Sequence, residues 1–133
     1  MRFLVCIKVV TVVFLAILLN ACAGVSGVQI KPDQAVMARA QARWDALLAA
    51  QFDKAYEYIS PGGRLTLSLE LFRSRIAAAS WRSAKVTSAV CEPEVCDVTL
   101  QLDVYVLPNL PHTQTINEKW ILDGGKWWFV YRG

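Results

Sequence analysis

The chain has 133 residues, enough for one domain and too few for two. Its 14 Lys and Arg against 11 Asp and Glu give a formal charge of +3. The basic residues are scattered, with Arg73, Arg75 and Arg82 the nearest to a cluster, and this excludes a nucleic-acid-binding stripe.

Residues 1–21 read as a cleaved secretory signal. Arg2 and Lys8 supply a basic start, Val9 to Leu19 is an uncharged apolar run, and small Ala21 ends it. The run is short for a bilayer span, which takes about 20 apolar residues. Its exit, Leu19-Asn20-Ala21-Cys22, resembles the lipobox of bacterial lipoproteins. The resemblance implies diacylglycerol on the Cys22 sulfur, cleavage before Cys22, and acylation of the new amino terminus. Two or more acyl chains hold a protein stably on a membrane, at about 0.8 kcal/mol per buried CH₂. Ala23 in place of Asp at the next position implies outer-membrane sorting. The mature chain keeps 112 residues with 12 basic and 11 acidic side chains, a net +1. Residues 22–31 form a lipidated tether; its nine residues after Cys22 reach at most about 30 Å.

The single domain is expected over residues 32–133. Pro32-Asp33 opens a helix with Asp33 as N-cap, and Val36, Ala40, Trp44, Leu47 and Leu48 form one face, ending near Gln51. Arg39, Arg43 and Asp45 are placed off that face. Asp53 caps a second helix, Lys54 to Ile59, which Ser60-Pro61-Gly62-Gly63 stops. Ser68 caps a third, through Leu69, Phe72 and Ile76 to about Ala79.

The period then changes from 3.6 to 2. Arg82 to Cys91 alternates weakly, with Ala84, Val86 and Val90 together. Cys96 to Leu107 alternates cleanly: Val98, Leu100, Leu102, Val104 and Val106 face one way, and Asp97, Thr99, Gln101, Asp103 and Tyr105 the other. Pro108 and Pro111 break the strand. Thr113 to Leu122 follows, with Ile116, Trp120 and Leu122 in phase, then an Asp123-Gly124-Gly125 hairpin and a last strand from Lys126 to Tyr131. Helices followed by antiparallel strands are the α+β order, with the helices covering one face of the sheet.

Cys91 and Cys96 flank Glu92-Pro93-Glu94-Val95, so a disulfide across the hairpin neck is expected in an oxidising compartment. Pairing Cys91 with Cys96 sets Val86 against Gln101 and mixes polar with apolar faces. Either a one-residue bulge between Val86 and Cys91 restores the match with Leu100, or the first strand is buried on neither face.

Trp44-Asp45-Ala46-Leu47-Leu48, then Phe52-Asp53-Lys54-Ala55-Tyr56-Glu57-Tyr58 and Ser60-Pro61, resembles the helical start of nuclear transport factor 2-like (NTF2-like, cone-fold) domains. Trp120-Ile121-Leu122-Asp123-Gly124-Gly125-Lys126-Trp127 fits their closing strands. The resemblance implies a curved antiparallel sheet around the N-terminal helices, with a conical apolar pocket. It implies little about activity, because the superfamily holds isomerases, dehydratases, transport factors, secretion parts and binding domains.

In an enzyme of this type the base would come from Asp103, Tyr105, Tyr56, Tyr58, Asp45 or Glu118. Asp103 and Tyr105 share one side of their strand. No base has a partner set by motif, and His112, the only histidine, lies between Pro111 and Thr113 in an expected surface break. One His and one Cys pair do not make a zinc site, and no cofactor is expected. Tyr56, Asp103, Tyr105, Trp120, Trp127 and Phe129 are the candidate pocket lining, although core packing is the favoured reading of each ring taken singly. The expected function is that of a periplasm-facing envelope lipoprotein that binds a small apolar ligand or an envelope protein without chemistry, alone, as a homodimer or as a piece of an envelope or secretion assembly, with no nucleic acid as partner. The alternative is a lipid-anchored isomerase or dehydratase with Asp103 as base. A pocket plugged by Trp side chains beside an exposed apolar patch would favour the protein partner.

Overall fold

The computed structural model describes residues 30–133. The signal segment, Cys22 and most of the tether lie outside the described residues. Among the described residues four helices come first: α1 (Pro32–Leu48), α2 (Phe52–Tyr56), α3 (Pro61–Thr66) and α4 (Leu69–Ile76). Four strands follow: β1 (Trp81–Cys91), β2 (Val95–Leu107), β3 (Leu110–Asp123) and β4 (Lys126–Phe129). They pair antiparallel in the order β1-β2-β3-β4. The fold is α+β, helices packed on an open antiparallel sheet, as expected.

Pro32 sits at the first helical position of α1, where its missing N–H costs nothing. Lys31, not Asp33, is the N-cap, and Asp33 lies in the first turn beside the positive end of the helix dipole. At the other end Gln51 N donates to Ala46 O and Ala50 N to Leu47 O, with Ala50 at φ 56°. That is a Schellman-type stop carrying Ala where Gly is usual.

Asp53 likewise lies inside α2 rather than capping it. Its carboxylate accepts from Arg73 Nε at 2.9 Å, tying α2 to α4. Ser60-Pro61-Gly62-Gly63 is a start as well as a stop. Ser60 Oγ accepts from Gly63 N at 3.2 Å and Pro61 takes the first position of α3. A Cβ on Gly63 would meet Ile59 Cγ2 at 3.0 Å and Ser60 Oγ at 3.1 Å, so a larger residue here needs both side chains to shift. Ser68 caps α4 as expected, accepting from Leu71 N, but the helix ends at Ile76.

The β1–β2 neck resolves the register conflict by the bulge. Cys91 pairs with Cys96 and Ser88 with Thr99, while Val86 pairs with Leu100; the register shifts between Val86 and Ser88. The two cysteines are joined. Past the bulge Ala89 packs toward the core and Val90 is 74 % exposed, so Val90 does not share the side of Ala84 and Val86.

β2 alternates as read, with Val98, Leu100 and Leu102 buried, but Val106 runs past the helices into solvent. β3 starts at Leu110 rather than Thr113, after a turn at Pro108-Asn109. Pro111 lies within the strand, and His112 pairs with Val104 instead of sitting in a break. Gly124 and Gly125, at φ 58° and 73°, form the two-residue turn that β3 and β4 need. Regular pairing stops at Phe129, two residues before Tyr131, and Val130 N still donates to Lys119 O at 2.9 Å. The far side of β4 is sealed by the chain after α2: Phe129 N donates to Tyr58 O and Ser60 N to Phe129 O.

The disulfide closes a short loop, of sequence separation 5. Replacing both cysteines, Cys91→Ala with Cys96→Ala, should cost about 2 kcal/mol. Thermal unfolding should show a midpoint lower by roughly 10 °C, with reductant having no further effect on the variant.

Candidate functional site: a buried ion pair, an edge cleft and an apolar hairpin tip

The expected face of α1 carries one residue more than was read from it. Arg43 stands seven positions after Val36 and three after Ala40, and it is buried with them. Glu118 stands in phase with Ile116, Trp120 and Leu122, and it too is buried. Arg43 Nη1 donates to Glu118 Oε1 at 2.8 Å, with the two side chains only 6 % and 4 % exposed. Trp44 Nε1 donates to the same oxygen at 2.8 Å, and Trp120 Nε1 donates to Oε2 at 3.1 Å. The carboxylate thus has three donors, two from α1 and one from its own strand. Arg43 Nε has no acceptor, and the guanidinium carbon lies 3.7 Å from the centroid of the Phe129 ring. The ring's negative face offsets part of what that N–H lacks. Burial lowers the pKa of the Arg43 guanidinium, and Glu118 acts against it.

This pair forms one wall of a cleft of about 330 Å³ lined also by Asp97, Ile116, Asn117, Lys119, Val130 and Arg132. The cleft opens where β4 leaves β3. Lys119 pairs with Asp97 at 2.6 Å across its rim. The two carboxylates there are each held by a cation.

The candidate lining residues do not converge. Trp120 is fully buried, and Trp127 and Phe129 are nearly so; Trp120 and Phe129 have ring centroids 5.7 Å apart. Trp44 meets Trp81 edge-on at 5.2 Å. These rings fill the space between α1 and the sheet. Phe129 alone of the six also reaches the cleft. Tyr56 packs on Phe72 and its hydroxyl donates to Leu67 O at 2.6 Å, a brace for the α3–α4 link.

Asp103 and Tyr105 are corrections. Both lie on the face of β2 opposite the helices, so neither lines a cavity with the tryptophans. Asp103 accepts from Ser83 Oγ and Thr113 Oγ1, each at 2.6 Å, and these two hydroxyls hold its carboxyl below the usual carboxylate range. A carboxylate stabilised in this way is a weaker base than a free one. His112 is exposed on β3, Asp45 is exposed and accepts from Gln41, and the Tyr58 ring lies under Arg39. Cys22 is outside the described residues.

Among the described residues, four of the exposed large hydrophobic side chains gather at the β2–β3 hairpin tip. Tyr105, Val106, Leu107 and Leu110 are 42–61 % exposed within one short stretch.

Removing one partner of the buried pair strands the other's charge. Glu118→Gln should destabilise the domain by about 3–5 kcal/mol, whereas the paired change Arg43→Met with Glu118→Leu should recover most of that loss. Chemical unfolding of the three variants measures the coupling; additive losses would contradict it.

No family model matches the chain, and no curated protein matches it. Solved structures do. A SEC-C motif containing protein from Psychrobacter arcticus superposes with a TM-score of 0.58 at 11 % identity, over 73 % of this chain and 60 % of that one. Another, from Rhodopseudomonas palustris, gives 0.57 at 14 %, over 68 % and 70 %. An NTF2-like transpeptidase from Campylobacter jejuni gives 0.54 at 11 %, over 71 % and 96 %. At these identities the likeness is one of fold, and the arrangement of helices on an open antiparallel sheet is consistent with the NTF2-like fold.

Proposed function

We propose that this chain is a bacterial envelope lipoprotein, anchored in the outer membrane through lipid on Cys22 and facing the periplasm, whose NTF2-like domain binds a protein partner and performs no chemistry. The observation that carries the binding role is the combination of a ring-filled interior with an apolar hairpin tip left in water. Tyr105, Val106, Leu107 and Leu110 sit together on one projection, the pattern of a contact surface rather than of scattered surface leucines. The enzyme reading needs Asp103 inside a pocket beside a tyrosine, and its outer-face position with two hydroxyl donors speaks against that role.

The anchor reading rests on Leu19-Asn20-Ala21-Cys22 at the end of the apolar leader. No helix among the described residues is long and apolar enough to cross a membrane, so attachment is assigned to the leader and its cysteine. Wild-type protein should begin at Cys22 by mass spectrometry and fractionate with membranes. Cys22→Ala should leave uncleaved precursor or soluble protein; mature protein with any other first residue would refute the anchor.

The binding reading is tested on the full-length chain in its envelope, with a photo-crosslinker at Leu110. A discrete protein adduct is expected. Leu107→Asp should abolish it while shifting stability by no more than about 0.5 kcal/mol, since the side chain is exposed. A chain that forms no adduct and retains a small molecule in native mass spectrometry would overturn the protein-binding role.

A further inference from the structure

The two edges of the sheet are not alike. On β1 the outward Ala84 C=O and Val86 N–H are both taken by the Gln41 side chain of α1, at 3.0 and 2.9 Å. That strand also carries Arg82 and Lys85 and two register shifts, devices that deter strand addition.

β3 beyond the end of β4 is open along its length and closed at one end. Lys119 O accepts from Val130 N at 2.9 Å, and Leu122 N donates to Glu94 O on the other side. Residues of odd number in β3 therefore turn their backbone groups away from β2. The outward N–H and C=O groups of Thr113, Thr115 and Asn117 bond to nothing among the described residues. A strand laid on them meets Val130 end-on, because Val130 already holds the place beside Lys119, so its pairing stops at Asn117. At the far end Pro111 has no N–H to offer, and the apolar hairpin tip follows.

The cleft of about 330 Å³ lies at that stop. Its walls carry Arg43, Lys119 and Arg132 against Asp97 and Glu118. Glu118 is held by Arg43 and Asp97 by Lys119, while Arg132 makes no ion pair among the described residues. Arg43 Nε, on a side chain 6 % exposed, has no acceptor. The cleft is therefore one negative charge short. We infer that it binds the C-terminal carboxylate of a partner polypeptide, whose last residues add to β3 as a parallel strand. This rests on the protein-binding reading and names the part of the partner that is held. The direction follows from charge: a parallel guest brings its carboxylate to the cleft, whereas an antiparallel guest beginning there brings an ammonium group. In the parallel ladder Thr115 N–H donates to the carbonyl of the guest's third-from-last residue, and Thr115 C=O accepts from the N–H of its last. Asn117 N–H then donates to the guest carboxylate, and Arg132 supplies the countercharge. The last side chain falls on the same face as Ile116, beside Phe129, which selects an apolar residue. Earlier guest residues run back past Thr113 toward the hairpin tip.

The test uses the full-length, lipidated chain immobilised in detergent micelles. The probe is a pool of hexapeptides with valine last and the other positions randomised, made once as C-terminal acids and once as amides. Retention of the acids should exceed that of the amides by about tenfold, the worth of one charge-assisted contact. Arg132→Gln should remove most of that preference, and Thr115→Pro should lower retention of the acids to background. Neither should move the melting temperature much, because Arg132 is exposed and the N–H lost at Thr115 points outward, as at Pro111. Lys85→Gln on the closed edge should retain the acids as wild type does. Equal retention of acids and amides would overturn the carboxylate site, as would retention that Arg132→Gln and Thr115→Pro leave unchanged. Isovalerate, which has the carboxylate and branched chain of valine without a peptide, should compete poorly; competition equal to that of the peptides would make a small acid the ligand and overturn the added strand. No retention of the acids, with the Leu110 protein adduct still formed, would overturn the proposal and leave the protein-binding reading standing. Loss of both would remove the two together.

Discussion

The domain depends on one buried charge pair. Taking the Glu118 carboxylate and the Arg43 guanidinium out of water costs several kcal/mol per ion, and that cost is offset only where the pair's geometry is good and further polar contacts support it. Here the carboxylate has Arg43, Trp44 and Trp120 as donors. The guanidinium rests on Phe129. α1, β3 and β4 meet at this point, and each supplies a group the others require. A helix shifted by one residue would present Ala42 in place of Arg43 and leave a bare carboxylate in the core. The pair therefore fixes how α1 lies on the sheet, in a way that Val36, Ala40 and Leu47 could not do alone, since apolar contacts are non-directional.

Much of the fold was legible because its signals are local. The alternation from Cys96 to Leu102 and the Asp123-Gly124-Gly125 turn determine two hairpins with little tertiary help. The bulge near Val86 was legible for a different reason: two constraints, the cysteine pair and the apolar face, disagreed by one residue, and one extra residue reconciles them. The misses share a cause. The charge of Arg43 argues for the surface, while its spacing from Val36 and Ala40 places it inside. Asp103 and Tyr105 are chemically suited to a pocket, but their parity sets them opposite Leu102 and Val104. Ser60-Pro61 was read as a break because the following glycines dominate, while the same two residues are the N-cap and first position of α3. Pro111 was read as a strand end, yet proline is harmless where the N–H would face outward.

The outer face of the sheet shows why a polar strand surface need not be a site. Asp103 with Ser83 and Thr113, Gln101 with Thr115, and Thr99 with Asn117 form side-chain bonds across three strands. Cross-strand polar pairs of this kind stabilise a solvated face. Their mutual satisfaction leaves Asp103 fewer free acceptor positions. The chemistry-bearing letters on this face are accounted for by the sheet itself.

Gln41 has a consequence for stoichiometry. A planar amide offers one donor and one acceptor in nearly the spacing of a peptide group, so on β1 it stands in for a single residue of a fifth strand. A sheet with two receptive margins is divalent and can add copies without limit. With one margin occupied by its own helix, this sheet is closed to strand addition on the β1 side. With β1 closed in this way, many copies of the chain at close quarters have no route across that margin to a fibre.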